Sequence, residues 1–188
     1  GMLRMIRNTN PGGGESGREV WAFMPRSAMK AQKTLRANGS GTKHPYTVDG
    51  APVALLQDRN FDGSIVANDG DKVYLYVGMR RGGKAYYALD VTNPEKPSLM
   101  WTIEKSGDFA ELGYTFSNPR VGLINSPNGP RAVVMFAGGY DLNKDTRGVV
   151  GTDDSEGNAI YIVDAETGEL IWKARRGTGG SEKVFEHS

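Results

Sequence analysis

The chain of 188 residues carries 23 Lys and Arg against 22 Asp and Glu, a net charge of +1, with 26 glycines, 9 prolines and no cysteine. So balanced a charge gives no electrostatic basis for nucleic-acid binding; the missing thiols exclude disulfides, cysteine nucleophiles and cysteine-ligated zinc; and no apolar run approaches the ~20 residues of a membrane-spanning helix. Short apolar runs punctuated by glycine and proline point instead to an all-β chain, read as one domain over residues 1–188.

From the N-terminus, residues 2–21 read MLRMIRNTNPGGGESGREVW: a strand, a glycine-rich turn after Asn8-Thr9, and a strand ending at Trp21. Residues 2–7 lack the charged-then-apolar order of a leader peptide and read as a strand. Residues 25–38 form the one helix expected. Pro25 opens it, Ala, Lys, Leu and Met fill it, and Gly39 ends it. Ala28, Met29, Ala31 and Leu35 face the body, and the lysines and arginines are a solvated face. A loop over 39–44 precedes a short strand at 46–48 that turns at Asp49-Gly50. Strands follow at 51–56 and 72–79.

Residues 84–101, KAYYALDVTNPEKPSLMW, repeat the strand–turn–strand plan, with two prolines lengthening the turn. Residues 107–118 are a loop anchored by Phe109, Tyr114 and Phe116. Strands at 119–124 and 131–137 join through the turn SPNGP, and Gly138-Gly139-Tyr140 leads into an acidic stretch over 141–158. Ala159 to Val163 form a β-branched and aromatic run that reads as a strand buried on both faces. Asp164 to Gly168 supply turn chemistry, and Leu170, Ile171 and Trp172 begin the return strand.

Three segments thus share one plan: a strand, a D/N-x-T-like turn, and a strand ending at or near Trp21, Trp101 or Trp172. The tryptophans lie 80 and 71 residues apart. Repetition on this scale, at roughly four strands per ~45 residues, marks a β-propeller or solenoid. At that density the chain holds about three to four blades, a part of a larger propeller.

The sharpest chemical signal is DRNFDGSIVAND, residues 58–69. Counted as an EF-hand-type loop, Asp58, Asn60 and Asp62 occupy positions 1, 3 and 5, Gly63 the bend, Ser64 the position that offers a backbone carbonyl, and Asp69 the closing position. Ca²⁺ takes about six to eight hard oxygens, and alternate residues of a tight loop can point them inward. Asp replaces the usual closing Glu, and Val66 offers no side-chain oxygen, so water or Asp71 completes the set. A second D-x-N-x-D stretch, Asp141 to Asp145 with Asp153 and Asp154 nearby, has Thr146 in place of the glycine and reads as an ordinary acidic loop. No carboxylate pair stands out as an acid and base, His44 and His187 lie in no catalytic context, and Gly138-Gly139 is followed by no helix that could cradle phosphate. The chain is therefore read as a non-enzyme.

Residues 1–25, YTVDGAPV (46–53), 70–101, ELGYTFSNPRVG (111–122) and 138–172 together resemble the C-terminal β-propeller of type IV pilus assembly and tip-adhesin proteins, the PilY or PilC family. The likeness covers nearly the whole chain in order. It implies a modified propeller of quinoprotein-like blades and a place at the cell surface, pilus tip or outer membrane, reached by export. It also implies pilin or minor pilin subunits and host or abiotic surfaces as partners, and a role in pilus assembly against retraction, in adhesion and in twitching motility. Calcium in that family acts through a D-x-[DN]-x-D-G-x-x-D loop. The loop at Asp58 departs from it, with Val66 where the pattern places Asp. Two alternatives follow the same blades: a quinone-dependent dehydrogenase, and an outer-membrane assembly scaffold that binds peptides at blade edges. Open blade edges favour association of copies.

Overall fold

Two four-stranded antiparallel meanders and one hairpin make up the strands of the computed structural model, which describes residues 1–8, 16–41, 43–146 and 153–175. The hairpin pairs β1 (Leu3–Ile6) with β2 (Glu19–Phe23). The first meander runs β3 (Val53–Gln57), β4 (Lys72–Gly78), β5 (Ala85–Asp90) and β6 (Ser98–Glu104). The second runs β7 (Arg120–Ser126), β8 (Gly129–Ala137), β9 (Ala159–Asp164) and β10 (Leu170–Arg175). In both, every strand pairs with its neighbour in sequence. The one α-helix among the described residues, α1 (Met29–Ala37), follows the hairpin.

The meanders stack face to face, as blades of a propeller do. Tyr74 and Tyr76 of β4, Tyr86 of β5 and Trp101 of β6 meet Val134 and Phe136 of β8 and Tyr161 and Val163 of β9. Aromatic contacts carry this layer, with ring centroids of Tyr86 and Phe136 4.2 Å apart and of Tyr76 and Trp101 5.7 Å apart. The buried hydroxyls find carbonyls: Tyr86 donates to Ser117 O at 2.7 Å and Tyr76 to Ala165 O at 3.0 Å. The other face of the first sheet is covered by the hairpin, Met24, Ala28 and Val48. There Leu3, Phe23 and Met24 pack on Val77, Met79 and Tyr87.

The repeated tryptophans have a common use. Trp21 donates its indole N–H to Pro94 O at 2.9 Å, in the β5–β6 turn of the next sheet. Trp101 donates to Ala165 O at 3.1 Å, in the β9–β10 turn of the sheet after that. Trp101 is 8% exposed, and Gly168 lies against its indole.

Several local readings change. Residues 46–50 are not a strand; this segment is irregular, with Thr47 and Val48 buried and Gly50 donating to Gly78 O. The helix is shorter than expected. Residues Arg26–Ala28 form a 3-10 turn, and Asn38, in the left-handed region at φ 42°, ends α1 in place of Gly39. Met29 is exposed rather than packed, whereas Ala28 is buried. In β9, Ala159, Tyr161 and Val163 are buried, but Ile160 is exposed and Ile162 half-buried, so one face is covered and not both. The turn at residues 9–15 lies outside the described residues.

Candidate metal loop

Because each sheet is a meander, the β3–β4 loop and the β5–β6, β7–β8 and β9–β10 turns gather on one rim. The β3–β4 loop, residues 58–71, folds around its own short polar side chains. Asp58 accepts from Phe61 N (2.7 Å) and Gly63 N (2.8 Å), Asn60 from Asp62 N (3.2 Å), and Asp62 from Ser64 N (2.7 Å). These Asx turns bend the chain tightly. Gly63 takes φ +82°, as the bend requires. The 3-10 turn Ala67–Asp69 brings Asp69 back, so that Asn60 Nδ2 lies 3.0 Å from Asp62 Oδ2 and 3.4 Å from Asp69 Oδ2.

Of the five expected ligand residues, Asn60, Asp62 and Asp69 are tied together through their side chains, Asp58 spends both oxygens on the Phe61 and Gly63 amides, and Ser64 sits in the same bend with its backbone carbonyl as its expected contribution. Among the described residues, no three carboxylate or imidazole side chains stand grouped as a metal centre. The donor set nevertheless suits a hard cation. Each carboxylate has two oxygens and several lone pairs, so the outer ones can keep the backbone amides while others face an ion. Asn60 now donates its amide N–H to Asp62 and Asp69 and accepts from Asp62 N through its oxygen, so ligating an ion between these carboxylates requires a half-turn of the amide.

Asp71 has a different task. It is fully buried, its Oδ1 accepts from Arg59 N and its Oδ2 from Val66 N, each at 2.8 Å. Both oxygens staple the loop ends to the start of β4. The two amide bonds hold its carboxyl below the usual carboxylate range. Asp164 is also lowered: burial opposes its charge, but the Arg131 guanidinium and the Thr167 and Glu166 amides outweigh that. A carboxyl lowered on folding stabilises the folded state above its unfolded value of about 4 and loses that contribution as pH falls through the folded value. Melting temperature is accordingly expected to be flat from pH 7 to about 5 and to fall steeply below about 4. Asp71→Asn should melt lower at pH 7 and lose less on acidification. Parallel acid profiles for the two proteins would contradict this role.

On the opposite rim, the second acidic stretch is taken up by protein donors. Asp141 accepts from Asn143 N, Ser155 N and Ser155 Oγ, and Asp145 receives both terminal nitrogens of Arg81 at 2.7 and 3.2 Å. Glu156, buried there, takes Lys84 Nζ at 2.5 Å and also Lys105. Nothing in the sequence distinguishes Glu156 from the acids around it. Beside the candidate metal loop lies a cleft of about 650 Å³ lined by Asp58, Arg59, Phe61, Arg131 and Glu166. Phe61 stands at its mouth, 89% exposed and in the left-handed region at φ 60°.

Stacked four-stranded meanders with a shared rim of turns define a β-propeller segment. Residues 15–183 match the family model described as the PilY1 beta-propeller domain, and the chain belongs to that family. A protein of Pseudomonas aeruginosa called type IV pilus biogenesis factor PilY1 is 34% identical over 158 residues, which cover 84% of this chain and 12% of that protein. A type IV pilus biogenesis factor PilY1 homolog of Xylella fastidiosa is 36% identical over 107 residues, 56% of this chain and 8% of the relative. The crystal structure of the Pseudomonas aeruginosa PilY1 C-terminal domain superposes with a TM-score of 0.54 at 29% identity, covering 88% of this chain and 28% of that one. This chain thus spans about an eighth of the length of the Pseudomonas relative it matches.

Proposed function

We propose that this chain is a calcium-binding, non-enzymatic propeller segment of a type IV pilus biogenesis factor. The family membership of residues 15–183 carries the pilus reading. The name of the relatives, biogenesis factors, favours a role in assembly over catalysis. In this reading the protein acts outside the cell at the pilus tip or outer membrane, contacts pilin or minor pilin subunits, opposes retraction, and supports adhesion to host or abiotic surfaces and twitching motility. Cells producing the protein with Asp58→Ala/Asp62→Ala in place of the native one test that role. Altered surface piliation and twitching are the expected result.

Calcium in this reading is held by Asp58, Asn60, Asp62 and Asp69 with the Ser64 carbonyl. The convergence of Asn60 on Asp62 and Asp69 supports it. Bound charge would offset the repulsion among the carboxylates and tighten the loop. A ligand that binds only the folded state stabilises it by about 2.7 kcal/mol at a concentration 100 times its dissociation constant. For a chain of this size that raises the melting temperature by roughly 5–10 °C. The rise should appear with Ca²⁺ against chelator and vanish in Asp58→Ala/Asp62→Ala. Equal melting in both conditions would refute the metal.

A further inference from the structure

We infer that the cleft of about 650 Å³ between the two sheets, on the rim that carries the β3–β4 loop, is a binding site for a neutral saccharide. Such a site rests on the adhesion reading for its biological use and names the chemistry of the surface met there; its residues work without the metal. Small-ligand sites are concave, about 300–1,000 Å³ in volume, with a few converging polar groups. Here one wall is Gln57, Arg59 and Phe61, from the end of β3 and its loop. The other is Arg131 at the start of β8, with Asp164 and Glu166 where β9 passes into its turn.

Short bonds fix the frame of the cleft. Asp164 Oδ2 accepts from Arg131 Nε at 2.6 Å, and its Oδ1 from the Glu166 and Thr167 amides at 2.8 and 2.7 Å. Only long contacts remain at the opening. Arg59 Nη2 lies 3.4 Å from Gln57 Oε1 and 3.5 Å from Glu166 Oε1, and Arg131 Nη2 lies 3.8 Å from Glu169 Oε2. These planar groups keep donors and acceptors to spare, as the paired hydroxyls of a sugar ring require. Charge selects against other ligands. Each guanidinium already faces a carboxylate, Arg59 that of Glu166 and Arg131 that of Asp164, so neither an anion nor a cation finds an uncompensated partner.

Phe61 supplies the apolar half of the recognition. It is more exposed than any other large apolar side chain among the described residues, and its φ of 60° is unfavourable for a bulky side chain. A glycine would make the same bend without strain. Strain of this kind clusters at binding sites. A ring face at the mouth of a polar cleft is a platform for the C–H face of a sugar, while the guanidinium, carboxylate and amide edges take its hydroxyls. A peptide would need apolar pockets, and beyond Phe61 the apolar side chains of the lining are only Pro130 and Ala132.

The test is saturation-transfer NMR titration of the chain with the methyl glycosides of galactose, glucose, mannose and N-acetylglucosamine, in Ca²⁺ and in chelator, with inorganic phosphate as the anionic probe. At least one glycoside should bind in both conditions, with a dissociation constant of about 1 mM, as suits a ligand of this size. Phe61→Gly should weaken binding by about tenfold or more, the loss of one aromatic contact. It should also melt about 2–4 °C higher through relief of strain, which certifies that the variant folds. Phe61→Tyr should keep the binding, and Glu166→Ala should lose about tenfold. No response to any of the four glycosides, or a response unchanged by Phe61→Gly, would overturn the inference. Phosphate binding more tightly than every glycoside would do so too, as would a response seen only with Ca²⁺, since the sugar would then sit on the ion. Failure of the metal reading is distinct: it shows as equal melting in Ca²⁺ and chelator and leaves the glycoside response in place.

Discussion

Replacing Trp101 with alanine is expected to destabilise the protein by about 3–5 kcal/mol, the range for deleting a large buried aromatic. For a chain of this size that corresponds to a melting temperature lower by roughly 10 °C or more. The side chain does three things at once. It fills the layer between the two meanders, stacks on Tyr76, and hydrogen-bonds the β9–β10 turn. Trp101→Phe separates these roles. It keeps much of the ring contact and removes the N–H, while Tyr76 continues to supply Ala165 O. The phenylalanine variant should therefore lose only about 1 kcal/mol from the missing hydrogen bond, plus a smaller packing term. Thermal or denaturant unfolding checks both. An alanine variant that melts within about 2 °C of the parent would mean that the sheets do not depend on this contact.

Gly139→Ala is the second severe substitution. Three chain segments meet at this point with almost no space between their backbones. Gly113 N donates to Gly138 O at 2.7 Å, Tyr114 and Tyr140 exchange backbone bonds at 2.9 Å, and Gly138 N donates to Ala159 O at 2.6 Å. Gly139 adopts φ +107°, and a methyl group there would overlap the Tyr114 carbonyl oxygen. Strain from a side chain in that region of φ is about 1–3 kcal/mol, and displacing backbone adds to it. A loss of at least about 3 kcal/mol, or no soluble protein, is expected. Gly107→Ala is the matched control: its φ is +51°, but nothing lies within 4 Å of the added methyl. It should cost about 1 kcal/mol. Equal losses at the two sites would show that the backbone crossing is unimportant.

Much of this architecture is legible in the residues because strand signals here are local. Tyr, Val, Ile and Trp alternate between turns rich in Asp, Asn, Gly and Pro, and a meander pairs each strand with the next, so no long-range register has to be guessed. The tryptophan repeat marks equivalent strands even though sequence alone does not say what the indoles bond. The failures have physical causes as well. Tyr46-Thr47-Val48 has strand composition, but Thr47 and Val48 lie against Gly82 and Gly1, and only Gly50 reaches β4, by a single bond to Gly78 O, so no ladder forms and the segment stays irregular. The run at Ala159 to Val163 is apolar throughout, which reads as double burial, yet only the face toward the first meander is filled. At the candidate site, the D-x-N-x-D-G spacing locates the loop. It does not reveal that Asp71 is consumed by two amides, because burial of that carboxylate depends on how the loop returns to β4.

Every ladder joins strands that are adjacent in sequence, in both meanders and in the hairpin. Short sequence separation between partners keeps the entropic barrier to folding low. Each sheet can close once its own four strands are available, without waiting for the next. A polypeptide built this way can be delivered gradually, end first, and acquire its shape unit by unit, so that little unpaired edge is on display at any moment.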